Sequence, residues 1–298
     1  MGFRNRDVTV CDIDMRLPPE LIDHTIDYLH DSPSTLRACA RVCRAWVAPS
    51  RFHLFYRHEI TPNNNIRTVP QQIGQLLEFL QGSPHIAFYI REFYLSPGYH
   101  SRMPDSDRSQ VDAALPHLLG MLTQLRKLVL TGIPFTGLVP DTRAAFRALF
   151  ALPCLVHVAV ERLEVAKIEH FASLLCPSLK RLSASVSLEK DFIFQSEDIR
   201  AVDDEVKAVE LQKRSRCCLD HLHSDSPVFI RWLLGTQTMI DISTIRTLDV
   251  WCSEDMEGLA ARLIRRLGPS LENLTIHIPS LEERRTLFLL YLFIIRLY

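Results

Sequence analysis

Glycine is scarce in this chain, ten in 298 residues, and neither G-x-x-x-x-G-K nor G-x-G-x-x-G occurs. Phosphate-cradling turns need glycine where backbone closes on the ligand, so nucleotide chemistry has no foothold here. An excess of one charge is lacking too: 34 Lys and Arg stand against 35 Asp and Glu. That balance gives no call for nucleic acid or an anionic membrane surface. The basic strip Arg37, Arg41 and Arg44 and the run Lys213-Arg214-Ser215-Arg216 are short and carry no interleaved aromatics, so they read as solvated faces. The opening MGFRNRDVTV has no apolar stretch of the kind a leader needs. The one membrane-like run, Leu287 to Ile295, is about half of the ~20 residues that span a bilayer. It reads as a buried terminal element or a truncated last repeat, and a membrane anchor is not expected. Eight scattered cysteines without a leader suit a reducing compartment, cytoplasmic or nuclear, with thiols serving as small core groups.

Candidate chemistry is thin. His221, His223 and Asp225 alternate toward one side of a strand and resemble part of a metal site, but no supporting motif accompanies them. Cys39 and Cys43 stand four apart with no second pair nearby and read as two core thiols. Cys217 and Cys218 are adjacent, a poor geometry for a mutual disulfide. No nucleophile sits on a recognisable elbow. No catalytic residue, metal or cofactor is expected.

Apolar surface is what the chain has in surplus. Residues 17–46 read LPPELIDHTIDYLHDSPSTLRACARVCRAW. Pro18 and Pro19 suit a first helical turn, where a missing N–H costs nothing, and Glu20 complements the positive helix end. Stepping about 100° per residue, Leu21, Ile22, Thr25, Ile26, Tyr28 and Leu29 share an arc of roughly 160°, wider than one packing stripe requires. Asp31-Ser-Pro-Ser-Thr35 is a loop and cap signal for a second helix. On that helix Leu36, Cys39, Ala40, Val42, Cys43, Ala45, Trp46 and Val47 cover more than half of the circumference. Pro49 is expected to close it, with a short helix then passing into a strand. A segment of about 45 residues buries little alone, so the excess points to docking on another surface.

These residues resemble the F-box pattern: Leu17-Pro18-Pro19-Glu20-Leu21-Ile22, then Ile26 and Leu29, then Leu36, Cys39, Val42, Cys43, Arg44 and Trp46, against L-P-x-E-L-I and a closing V-C-[RK]-x-W. The likeness covers residues 17 to 57 and is nearest to F-box proteins of mushroom-forming fungi. The resemblance implies a three-helix unit over 14–57, after a flexible stretch 1–13, binding the Skp-type adaptor of a cullin-RING ubiquitin ligase. Leu17, Pro18, Glu20, Leu21, Ile22 and Ile26 would lie at or near the adaptor, while Cys43 and Trp46 would help pack the unit itself.

Beyond residue 60 the spacing apolar-x-x-apolar-x-apolar recurs at Ile90-Phe93-Leu95, Leu125-Leu128-Leu130, Leu155-Val158-Val160, Leu179-Leu182-Ala184, Ile245-Leu248-Val250 and Leu271-Leu274-Ile276, with a weaker copy at Leu219-Leu222-Ser224. Steps between copies run from 24 to 40 residues, and most copies follow an amphipathic helical stretch. Such strand-and-helix units stack into a parallel sheet, so the expected fold is α/β: a three-helix unit, then an irregular leucine-rich-repeat-like solenoid over 58–298. Where leucine-rich repeats place Asn or Cys, this chain has Ile133, Leu163, Ser187, Ser253 and Pro279. A polar insertion near 185–216, with a charged helix over 199–214, breaks the rhythm.

Period-two alternation predicts which side chains face away from the helices. Lys127, His157, Arg181, His221, Thr247 and Asn273 form one row; Thr131, Glu161, Ser185, Asp225, Trp251 and His277 form another, with Asp249 between the two. A tryptophan among histidines and mixed charge has the character of a binding hot spot, and Lys127, His157, Arg181, His221, Thr247, Asp249, Trp251 and His277 are the candidate target-binding residues. A plainly solvated sheet face is the competing reading. The functional expectation is a non-catalytic substrate receptor of an SCF-type ubiquitin ligase. It would hold the adaptor at one end and an unidentified target at the other. The alternative is a scaffold that keeps the adaptor contact and marks nothing; an enzyme on this fold has no motif behind it.

Overall fold

The computed structural model describes residues 18–62, 68–96, 104–133, 135, 138–165, 168–188, 217–235, 239–251 and 254–277. The expected flexible stretch 1–13, Leu17, most of the polar insertion and the apolar tail lie outside the described residues. The chain divides into two units, Met1–Phe55 and Tyr56–Tyr298.

In the first unit, proline opens each of the first two helices, α1 (Pro19–Asp27) and α2 (Pro33–Cys39). The second expected helix is in fact two. Ala40 caps α2, a turn follows, and α3 (Arg44–Tyr56) starts afresh. Pro49 does not close a helix but sits inside α3, at its sixth position, where it costs one backbone hydrogen bond. Ile22, Ile26, Leu36 and Cys39 are buried together, with Leu29, Trp46 and Leu54 packed against them. His53 of α3 ties back to Asp27 at the end of α1, Nε2 to Oδ1 2.7 Å.

The second unit is built on eight parallel strands in chain order. They are β1 (Arg57–Ile60), β2 (Glu92–Leu95), β3 (Lys127–Thr131), β4 (His157–Val165), β5 (Arg181–Leu188), β7 (His221–Ser224), β9 (Thr247–Trp251) and β10 (Asn273–His277). A separate parallel pair joins β6 (Cys217–Cys218) to β8 (Ile240–Asp241). The connections hold α4 (Val69–Gly82), α5 (Asp105–Met121), α6 (Pro140–Phe150), α7 (Ile168–Ala172), α8 (Pro227–Leu233) and α9 (Glu254–Leu267). Each sequence copy of the recurrent spacing is a strand, including the weaker one, and the architecture is α/β with a parallel sheet.

A recurrent backbone device joins one strand entry to the next. Ahead of β3, β4, β5, β7, β9 and β10 two successive amides donate to a single carbonyl in the turn that enters the neighbouring strand. Arg126 and Lys127 donate to Arg91 O, Val156 and His157 to Arg126 O, Lys180 and Arg181 to Val156 O, Asp220 and His221 to Lys180 O, Arg246 and Thr247 to Asp220 O, and Glu272 and Asn273 to Arg246 O. This carbonyl ladder pairs turn backbone at the entry to each of these strands. Ile133 and Leu163, at positions where leucine-rich repeats place Asn or Cys, are buried apolar groups. The inward strand residues meet the helices in a core holding Phe93, Phe146, Phe150, Phe171 and Phe229, all fully buried. Each contributes about 1.5–3 kcal/mol relative to exposure.

Candidate binding surfaces

The wide apolar arc of α1 divides in two. Ile22 and Ile26 turn inward, 7% and 0% exposed, whereas Leu21 and Tyr28 turn outward at 50% and 76%. Leu21 and Tyr28 are seven apart and so lie on one side of the helix, two turns from each other. Thr25 stands between them, its hydroxyl donating to Leu21 O at 2.7 Å, and the Tyr28 ring meets His24 edge-on at 4.9 Å. Pro18, Pro19 and Glu20 are exposed at the helix start. Val42, in the turn after α2, is 58% exposed, and Cys43 is exposed rather than a core thiol. Of the expected docking residues, then, Pro18, Glu20 and Leu21 are accessible, while Ile22 and Ile26 belong to the unit's interior. Tyr28 and Val42, read from the sequence as apolar positions but not as docking residues, add to the exposed apolar area of the described residues. For Tyr28 the signal was the width of the arc itself, which exceeds what one core can cover.

On the second unit, parallel register places Arg57, Glu92, Lys127, His157, Arg181, His221, Thr247 and Asn273 in a continuous row across the sheet. The expected row from Lys127 to Asn273 is present in full. Its neighbour carries Glu59, Tyr94, Val129, Ala159, Ser183, His223, Asp249 and Thr275. The outermost expected row is broken. Thr131 pairs with Glu161 and Trp251 with His277, but an extra residue in β4 shifts the register between Val160 and Leu163. Arg162, at φ 52°, is the residue that takes the strained left-handed conformation there. Ser185 therefore loses its place opposite Glu161, and Asp225 falls beyond the end of β7.

That last displacement changes the histidine reading. The carboxylate that meets His223 is Asp249, not Asp225: His223 Nδ1 lies 3.1 Å from Asp249 Oδ2, and His277 Nε2 lies 2.9 Å from Oδ1. Oδ1 is shielded from water and accepts no hydrogen bond, so the His277 contact is ion-pair proximity without bond alignment. Trp251 stacks on His277, centroids 4.9 Å apart and planes 16° apart, and stays 44% exposed. Among the described residues no group of three or more His, Cys, Asp or Glu is disposed to hold a metal. None of their helices is long and apolar enough to cross a membrane.

Electrostatics distinguish the centre of the face. Burial first, then the charges of Lys127 and Arg181 on either side and of His221 beyond, lower the His157 pKa to about 4. His221 is lowered as well, by burial and then Arg181, with Asp249 pulling the other way. Tyr94, absent from the sequence reading, lies under the Arg57 guanidinium at 4.0 Å from the ring centroid and 5.2 Å from Lys127 Nζ. Continuing the alternation into β2 would have found it.

No family model matches this chain, and no curated protein does.

Proposed function

We propose that the chain is the substrate-recognition subunit of an SCF-type ubiquitin ligase, docking a Skp-type adaptor through an F-box-like first unit and a target protein through a leucine-rich-repeat-like second unit. One observation carries the reading. The described residues that resemble the F-box pattern fall on three helices and the turns beside them, with a small core of their own, and part of the apolar arc, Leu21 with Tyr28, is left outside that core. A foreign helix or loop laid against such a side removes the greasy area from water.

The second unit supports a recognition role by its open sheet face, where a tryptophan, four histidines and unpaired cations gather beside one another. The mechanism is proximity. A target held here sits close to a ubiquitin-conjugating enzyme recruited by the cullin and RING subunits, which raises effective concentration without an acid, base or nucleophile from this chain.

The test is co-expression of the full chain with a Skp-type adaptor, followed by purification on a tag carried by this chain. The adaptor is expected in stoichiometric yield. A folded chain that emerges alone contradicts the proposal.

A further inference from the structure

The row of the open sheet face that holds His157 carries three cations, Arg57, Lys127 and Arg181, against one carboxylate, Glu92. The carboxylates of the face make other contacts: Glu59 with Arg57 at 3.3 Å, Glu92 with the Tyr94 hydroxyl at 3.0 Å, Glu161 with the Thr131 hydroxyl at 3.3 Å, and Asp249 beside His223 and His277. Among the described residues neither Lys127 nor Arg181 has a carboxylate within ion-pair distance, though register sets them one strand to either side of His157. Lys127 is half-buried and Arg181 exposed. Burial first, and then the same two charges, lower the His157 pKa to about 4, in keeping with positive charge on both sides of that ring.

We propose that this face takes a short acidic segment of a partner protein in extended form, two of its carboxylates pairing with Lys127 and Arg181 across His157. Two strand spacings separate the cations, about 10 Å, which one turn of extended polyproline II chain, three residues, spans with both side chains on the same side. The flanking carboxylates Glu92, Glu161 and Asp249 confine the positive patch to the middle of the sheet. A nucleic-acid strand, which needs a run of cations along its backbone, meets repulsion at either side. The exposed Trp251, stacked on His277, gives an apolar contact toward the far end of the same face. The inference deepens the receptor reading by naming the chemistry of the target, and adaptor capture is measured separately so that either can fail without the other.

The experiment uses the full chain and a dye-labelled peptide of glycine and serine with two glutamates three positions apart, read by fluorescence anisotropy at low ionic strength. The glutamate peptide should bind at least about tenfold more tightly than its glutamine counterpart, and rising salt should remove the difference. Lys127→Glu with Arg181→Glu should abolish the preference while melting temperature and adaptor capture stay unchanged. Lys127→Gln with Arg181→Gln serves as the milder pair should charge reversal disturb folding. Equal binding of the two peptides, an unchanged preference in a folded double variant, or tighter binding of an oligothymidylate than of the peptide overturns the proposal. Lost adaptor capture with peptide binding intact counts against the receptor reading alone.

Discussion

Arg181 lies directly opposite His157 in the β4–β5 pairing, with Lys127 opposite its other side. The consequence is a pH dependence of known sign. The folded-state pKa of His157 is about 4 against an ordinary 6.5, so as pH falls through this interval the unfolded chain takes up a proton that the folded chain refuses. Stability from this group is fully present above pH 6.5 and is lost progressively down to pH 4. His58 and His221 are shifted in the same direction and add to the trend. Melting temperature should therefore drop between neutral pH and pH 4, and His157→Gln should flatten part of that drop. An imidazole proton resonance of His157 titrating near its ordinary midpoint would speak against the crowding.

Two buried serines take over where the pairing of β7 ends. Ser224 Oγ donates to Ala184 O at 2.7 Å and accepts from Ser226 N at 3.2 Å; Ser226 Oγ donates to Val186 O and accepts from Phe229 N at 3.2 Å. Side chains thus extend the strand contact and cap α8 in the same stroke. Ser226→Ala orphans a carbonyl and an amide in the core, and urea unfolding should show a loss of about 2 kcal/mol. Ser185→Ala, half-buried and outside that network, should cost under about 0.5 kcal/mol.

The division of the α1 arc predicts opposite responses from neighbouring residues. Ile26→Ala removes a fully buried side chain and should cost about 2–5 kcal/mol, which is enough to melt so small a core. Leu21→Ala, at a half-exposed position, should change stability by less than about 0.5 kcal/mol. Circular dichroism melts of the two variants check the contrast; a destabilising Leu21→Ala would mean that this side chain is already spoken for.

Gly268 closes α9 at φ 54°, the left-handed region that side chains resist, although no atom stands within 4 Å of where a Cβ would be. Gly268→Ala should therefore lower stability by about 1 kcal/mol through backbone strain alone, as read by chemical denaturation.

Much of this was legible beforehand because parallel register converts sequence spacing into geometry. Once Leu128, Val158, Leu182, Leu222 and Leu248 are taken as inward, Lys127, His157, Arg181, His221 and Thr247 must fall in line beside them. Legibility ended where one residue altered the count. The extra residue at Arg162 displaced Ser185, and the early end of β7 removed Asp225, leaving Asp249 to meet His223. In the first unit the buried positions Ile22, Ile26, Leu36 and Cys39 follow from the apolar pattern, but an unbroken second helix does not form. Val42, Cys43 and Ala45 look inward-facing only if α2 runs unbroken, whereas the turn after Ala40 resets the phase and turns them out. Pro49 misled in the opposite sense, since a helix of thirteen residues tolerates one lost bond when packing holds both halves.

The most direct measurement is the affinity of the purified full chain for a Skp-type adaptor by titration calorimetry, set beside the same titration for Leu21→Asp with Tyr28→Asp. The account predicts a tight equimolar complex for the natural chain and a loss of at least about a hundredfold for the variant, since hot-spot truncation typically costs 2 kcal/mol or more per residue, with the melting temperature unaltered. Undiminished affinity in a folded variant, or no heat of binding from the natural chain, contradicts it.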